Sequence, residues 1–144
     1  MDVLFTIMRK CELYIDGSSK GNPGEAGCGF VIYSEGKKLL EKSIYLGVKT
    51  NNEAEYFGLI EALKAAREVG CEEIMVYSDS ELLVNQINGV YKVRALNLRP
   101  LRDEALSLLK FFKKWQITHI SREQNFETDF LAKKVSKEGK DGKE

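Results

Sequence analysis

A chain of 144 residues, 43% hydrophobic and 31% charged, is long enough to bury one core and too apolar to stay unfolded, so it reads as a single globular domain. No apolar run approaches the ~20 residues that cross a bilayer. Met1 to Met8 (MDVLFTIM) lacks a basic leader and a small-residue cleavage site, so no signal peptide or membrane partner is expected and the cytoplasm is the expected compartment. The formal charge is zero, 22 basic against 22 acidic residues, which argues mildly against a nucleic-acid binder unless bound metal neutralises several acids.

Cys11 to Asp16 (CELYID) predicts a strand ended by Gly17, and Gly17 to Gly24 (GSSKGNPG) a turn. Ala26 to Ser34 and Lys38 to Leu46 follow as two more strands, and the short connections suggest an antiparallel meander. Asn52 to Val69 changes period: Leu59, Ala62, Ala66 and Val69 recur at helical spacing beside Tyr56, Ile60 and Leu63, and Gly70 stops the helix. Glu73 to Ser78 (EIMVYS) contains a continuous apolar run, as suits a doubly covered central strand. A short helix is expected over Ser80 to Asn88, a connector over Gly89 to Asn97, and a longer helix over Leu98 to Lys114 with Pro100 in its first turn. Trp115 to Ile120 (WQITHI) reads as the last strand, and Asn125 as the cap of a final helix ending near Val135. The order βββαβααβα implies an α/β fold with a mixed five-stranded sheet flanked by helices.

The three cysteines, Cys11, Cys28 and Cys71, show no CxxC or Cys/His ligand spacing. Cys11 and Cys28 fall in apolar strands, where a reduced cysteine acts as a small hydrophobe.

Four acids stand out by position. Asp16 and Asp79 end strands, where α/β sheets place their ligand sites. Glu55 leads the core-facing stripe of its helix, a phase that Glu53 does not share. Asp129 sits near the start of the last helix, close to Phe126, Phe130 and Ala132. Singly, each has a plain structural use: a turn for Asp16, a helix cap for Asp79, complements to helix dipoles for Glu55 and Asp129. Together they are carboxylates pressed against a core with no evident basic partner, which is unfavourable unless a cation joins them. Oxygen-only ligands suit Mg²⁺ or Mn²⁺.

Tyr14 to Gly24 (YIDGSSKGNPG), Thr50 to Tyr56 (TNNEAEY), Tyr77 to Ser80 (YSDS) and Arg122 to Ala132 (REQNFETDFLA) resemble, in order and spacing, the four signature segments of ribonuclease H, type 1. The resemblance covers roughly Cys11 to Val135. It implies a ribonuclease H-like fold and endonucleolytic cutting of the RNA strand of RNA–DNA hybrids, leaving 5′-phosphate and 3′-hydroxyl ends. It also implies two Mg²⁺ ions, with Mn²⁺ able to substitute, held by Asp16, Glu55, Asp79 and Asp129, with Asp16 bridging them. Gly17, Ser18, Asn22 and Asn52 resemble the groove that meets ribose 2′-hydroxyls, and Thr50 and Asn51 the part that grips the DNA strand. Helix capping is the alternative for the two adjacent asparagines. Residues 1–9 then read as an extension, 10–136 as the catalytic domain and 137–144 as a charged, disordered tail. A monomer is expected. Double-stranded RNA stays open as a second substrate, and a non-catalytic nucleic-acid-binding domain of the same fold as the alternative function.

Two departures from the long-form pattern matter. The basic, aromatic protrusion between the second and third helices is reduced to Tyr91, Lys92, Val93 and Arg94, so weaker, more salt-sensitive hybrid binding is expected. The loop that carries a histidine before the last aspartate is short. The one histidine, His119, falls in the WQITHI strand pattern, and Arg122 is the better candidate to assist product release, with a surface salt bridge as its alternative.

Overall fold

The computed structural model describes the backbone of residues 8–138 and the side chains of residues 8–134. Residues 137 and 138, expected to begin a disordered tail, instead continue the last helix; the rest of the expected tail and most of the expected N-terminal extension lie outside the described residues. Strands β1 (Lys10–Gly21), β2 (Gly24–Ser34) and β3 (Lys37–Lys49) form the meander. Helix α1 (Asn51–Glu68) leads to β4 (Glu73–Ser78), α2 (Glu81–Ile87), α3 (Arg99–Leu109) and β5 (Lys114–His119). A 3-10 turn, Glu123–Asn125, then opens into α4 (Phe126–Glu138). The sheet order is β3-β2-β1-β4-β5, antiparallel across the meander and parallel from β1 through β4 to β5.

The expected element order and mixed sheet are both present. One boundary moves. The Gly- and Pro-rich stretch is mostly strand, because the β1–β2 ladder continues through Ser18↔Gly27 and Lys20↔Glu25 to Gly21↔Gly24. Only Asn22 and Pro23, joined by a cis peptide bond, are left at the hairpin tip.

One face of the sheet carries the main core. Leu13, Ile15, Phe30 and Ile32 pack against Tyr56, Leu59, Ile60 and Leu63 of α1, with Leu83, Ala105, Leu109 and Ile117 completing the cluster. The α1 stripe is buried as its periodicity predicts, although Val69 at its end is only partly covered. Helix α4 covers the opposite face: a Cβ on Gly29, whose neighbour Phe30 faces the core, would meet the side chain of Leu131 at 2.8 Å.

The cysteines depart from the expectation of independent small hydrophobes. Cys11 and Cys71 form a disulfide across 60 residues of sequence, with Cα atoms 5.8 Å apart. Parallel pairing of β1 with β4 in the register Cys11↔Ile74 brings the start of β1 beside the turn before β4. That neighbourhood depends on sheet order and is invisible in local spacing. Cys28 is buried within β2.

Two outcomes follow from this packing. Closing a 60-residue loop stabilises the fold by about 4 kcal/mol in the loop-entropy model, so reduction, or Cys11→Ser with Cys71→Ser, is expected to lower the melting temperature by roughly 10 °C. Melting with and without reductant measures it. Gly58→Ala should also destabilise, by about 1–3 kcal/mol, although alanine is the better helix former. Its Cβ would lie 2.7 Å from the Asp16 carbonyl oxygen, a backbone atom that cannot swing aside. Denaturant titration reads the sign directly.

Candidate active site

The site is built at the carboxyl ends of the two central strands. Ile15 pairs with Ser78, so the next residues, Asp16 and Asp79, emerge side by side. Helix α1 brings Glu55 to the same point. Its start is fixed by a capping box, in which Thr50 Oγ1 accepts from Glu53 N at 3.1 Å and Glu53 Oε1 accepts from Thr50 N at 2.8 Å. Glu53 is therefore occupied at the cap, while Glu55 is buried against β1 and accepts from Gly17 N at 3.0 Å. One carboxylate oxygen from each of Asp16, Glu55 and Asp79 falls within 4.8 Å of the others. Asp129, in the first turn of α4, falls outside that set of three; it is near enough to help raise the Asp16 carboxyl, and its Oδ2 lies 3.3 Å from Lys133 Nζ.

Burial first, then the neighbouring Glu55, Asp129 and Asp79, push the Asp16 carboxyl far above the usual carboxylate range. Glu55 is raised by burial and by Asp79, and Asp79 by burial, which outweighs the hydrogen bond from Asn125 and the fields of Arg122 and His119. Asp16 Oδ2 and Asp79 Oδ2 are buried with no hydrogen-bond partner among the described residues. Stranded acceptors inside a group of carboxylates fit a hard divalent cation, which would satisfy the oxygens and reverse the repulsion.

Asn125 does not cap α4. It closes the 3-10 turn, is 1% exposed, and its Nδ2 donates to Ile15 O at 2.8 Å while also serving Asp79. It thus ties the last connection to the end of β1, beside Asp16. Sequence pattern alone missed this role, and missed Lys133, which only helical spacing from Asp129 could have suggested. His119 ends β5 as expected, exposed beside Ser78 in register.

The residues matched to substrate contacts gather at one edge, with much of their hydrogen bonding internal. Asn51 Oδ1 accepts from Ser19 N at 3.2 Å, and Asn51 N donates to Asn22 Oδ1 at 3.0 Å, so the hairpin tip and the start of α1 are laced together. The Gly17 amide is taken by Glu55, and the Thr50 hydroxyl by the cap. Ser18 is half-buried in the β1–β2 ladder. Asn52 is exposed and lines an open groove of about 590 Å³ with Gln86, Tyr91, Lys92 and Arg94. Val93 is 5% exposed and belongs to the core, not to the groove.

The model of the reverse transcriptase-like family matches residues 14–135. Ribonuclease HI of Halobacterium salinarum is 42% identical over 120 residues, which is 83% of this chain and 60% of that protein. The chain thus spans less than two thirds of that relative's length. The crystal structure of RNase H1 from the same organism superposes with a TM-score of 0.87 at 38% identity, covering 90% of this chain and 98% of that one. The chain belongs to the ribonuclease H family. A further member, LC11-RNase H1, solved in complex with an RNA/DNA hybrid, matches with a TM-score of 0.85 at 37% identity over 90% of this chain and 98% of its own. Ribonucleases H are metal-dependent, and the acidic cluster here is of the kind that holds metal. Among the described residues no helix is long and apolar enough to cross a membrane.

A pH dependence follows for the metal-free protein. Asp16, Glu55 and Asp79 have folded-state pKa values above their unfolded values near 4, so the native state binds more protons than the unfolded state over the interval between. Stability contributed by these groups is full below about pH 4 and is lost as pH rises towards the folded values. Melting temperature in chelator should therefore fall between about pH 5 and 8, and the fall should be smaller in Asp16→Asn. Added Mg²⁺ should raise the melting temperature most at the alkaline end. Thermal melts across that pH series check all three.

Proposed function

We propose that this protein is an endoribonuclease that hydrolyses the RNA strand of RNA–DNA hybrids, with residues 10–136 as its catalytic unit. The observation that carries the reading is the convergence of Asp16, Glu55 and Asp79 within 4.8 Å, with two of their buried oxygens unpartnered, on a chain of the ribonuclease H family. The solved complex of LC11-RNase H1 with a hybrid supports the choice of substrate.

Asp16, Glu55, Asp79 and Asp129 would hold Mg²⁺, expected as two ions, with Mn²⁺ as a substitute. Metal bound there supplies charge stabilisation at the reacting phosphate and lowers the pKa of attacking water. The protein's own part is to hold four carboxylates that would otherwise repel, three on the sheet and α1 and the fourth on α4. Asn22, Asn52 and the backbone at Gly17 and Ser18 face the ribose 2′-hydroxyls, with Thr50 and Asn51 towards the DNA strand. Amides suit the first task because they donate and accept without adding charge. Asn52 has the freer side chain; Thr50, Asn51 and Gly17 serve chiefly by shaping the edge, since their polar groups are already engaged. Arg122, exposed and close enough for its charge to act on Asp79, helps release the 5′-phosphate. Water adds across the phosphodiester: its oxygen joins phosphorus and the leaving 3′-oxygen gains a proton. A cytoplasmic monomer is the working form proposed here.

The test uses one duplex sequence made as hybrid, as DNA and as double-stranded RNA, each strand end-labelled in turn, with Mg²⁺ across a salt series. The hybrid should be cut in its RNA strand alone and the DNA duplex left intact. Asp16→Asn should lose cleavage by more than tenfold while staying folded. Activity should fall steeply with salt, because the short connector offers few phosphate contacts. Comparable cutting of a DNA strand would show another metal nuclease on this scaffold, and binding of hybrid without cutting would favour the non-catalytic alternative.

A further inference from the structure

Helix α4 presents two large aromatic side chains to solvent. Phe126 is 72% and Phe130 59% exposed. They are four residues apart and so lie on one face, while Thr128, Leu131 and Ala132 turn inward against the sheet. The two other exposed aromatic side chains among the described residues have a visible use. The Phe111 ring lies 3.6 Å beneath the Arg67 guanidinium, and Tyr91 lines the groove beside Asn52. Neither Phe126 nor Phe130 makes a ring or cation–π contact among the described residues. A single exposed apolar side chain is ordinary; two phenylalanines on one helical face are not explained by folding.

Their position supplies the explanation. Asp129 lies between them in sequence, on the Thr128–Ala132 stretch that packs over Gly29, the cross-strand partner of Asp16, so the aromatic face lies beside the site. The charge around it is mixed, with cations at either end of the face. Glu127, on the far flank of the helix, is held by Lys38 at 2.5 Å, a lysine it shares with Glu41, and accepts from the Tyr33 hydroxyl at 3.0 Å. Arg122 stands one turn before Phe126, and Lys134 one turn after Phe130. Along the helix axis the two phenylalanines are about 6 Å apart, close to twice the ~3.4 Å spacing of stacked bases.

We propose that the Phe126–Phe130 face of α4 is a stacking shelf for an unpaired stretch of the RNA strand where that strand passes the carboxylate site. This rests on the ribonuclease reading above and adds to it a substrate preference. Bases inside a continuous duplex are already stacked and offer no free π-face, whereas bases beyond the end of a hybrid do. Aromatic stacking is tolerant of sequence, so the preference is for the junction between hybrid and single strand, whatever its bases. The strand concerned is the RNA, because Asp129 belongs to the cluster that holds the scissile phosphate.

The test compares a short blunt hybrid with the same hybrid carrying an unpaired RNA extension at either end, at one fixed salt concentration. Affinity is read by fluorescence anisotropy in Ca²⁺ and cleavage separately in Mg²⁺. For the wild-type chain, an extension at one of the two ends should tighten binding about tenfold. The gain should vanish when the extension is abasic, which keeps every phosphate and removes every base. It should also vanish in Phe126→Ala/Phe130→Ala, and largely in Phe126→Leu/Phe130→Leu, while affinity for the blunt hybrid stays unchanged. Equal affinity of wild type for blunt and extended hybrids would overturn the shelf, as would a gain that survives abasic extension or the double alanine variant. A base-dependent gain accompanied by no cleavage of either hybrid would uphold the shelf and overturn the ribonuclease reading instead.

Discussion

The arrangement depends on how closely the backbone of α1 comes to that of β1. A Cβ on Gly17 would lie 2.1 Å from the Ala54 carbonyl carbon, and one on Gly58 would lie 2.7 Å from the Asp16 carbonyl oxygen. Both approaches are closer than any side chain permits, so the two glycines make the contact possible from opposite sides. Gly58 weakens the interior of α1 by roughly 1 kcal/mol relative to alanine. In return the helix settles onto the strand end, Glu55 meets the Gly17 amide, and the Tyr56, Leu59 and Leu63 side chains enter the core at full depth. Were the helix held even one side-chain layer further out, Glu55 would still be present but would not face Asp16.

That closeness creates the electrostatic problem that defines the site. Carboxylates gathered in a half-buried hollow raise one another's pKa and oppose folding, and only a little of this is relieved locally, by the Gly17 amide, by Asn125, and by Lys133 beside Asp129. The rest is carried by the hydrophobic layer below, where the large side chains of α1 and the sheet are almost wholly buried. The core therefore does more than fold the chain. It holds like charges at a spacing they would not choose, ready for a cation that makes the same spacing favourable.

Much of this was legible in the sequence, and the boundary between legible and hidden has a physical cause. Asp16 and Asp79 were marked by their places at strand ends, and Glu55 was separated from Glu53 by helical phase; the structure gives Glu53 to the cap and Glu55 to the cluster. These are local signals. What the sequence hid is non-local. Asn125 looks like a cap because a polar residue precedes a helix, but its partner is the Ile15 carbonyl, 110 residues away in sequence. The Cys11–Cys71 link requires knowledge of which strands are neighbours. The Gly-rich hairpin looked like a turn because glycine and proline punctuate chains, yet cross-strand pairing extended both strands almost to its tip. Val93 shows the same limit, since nothing nearby announces that a connector residue is part of the core.

The placement of α4 has one further consequence. Three carboxylates stand on the central strands and α1, which share the main core, whereas Asp129 stands on a helix that rests on the other side of the sheet and closes the chain's described portion. The site is therefore assembled from elements on both faces of the sheet. A single helix resting on one sheet face can open without global unfolding; if α4 lifts, Asp129 leaves with it while the other three acids keep their positions. The complete set of ligands is then a population, set by the docking free energy of a single helix, and whatever bridges Asp129 to Asp16 also fastens that helix to the sheet.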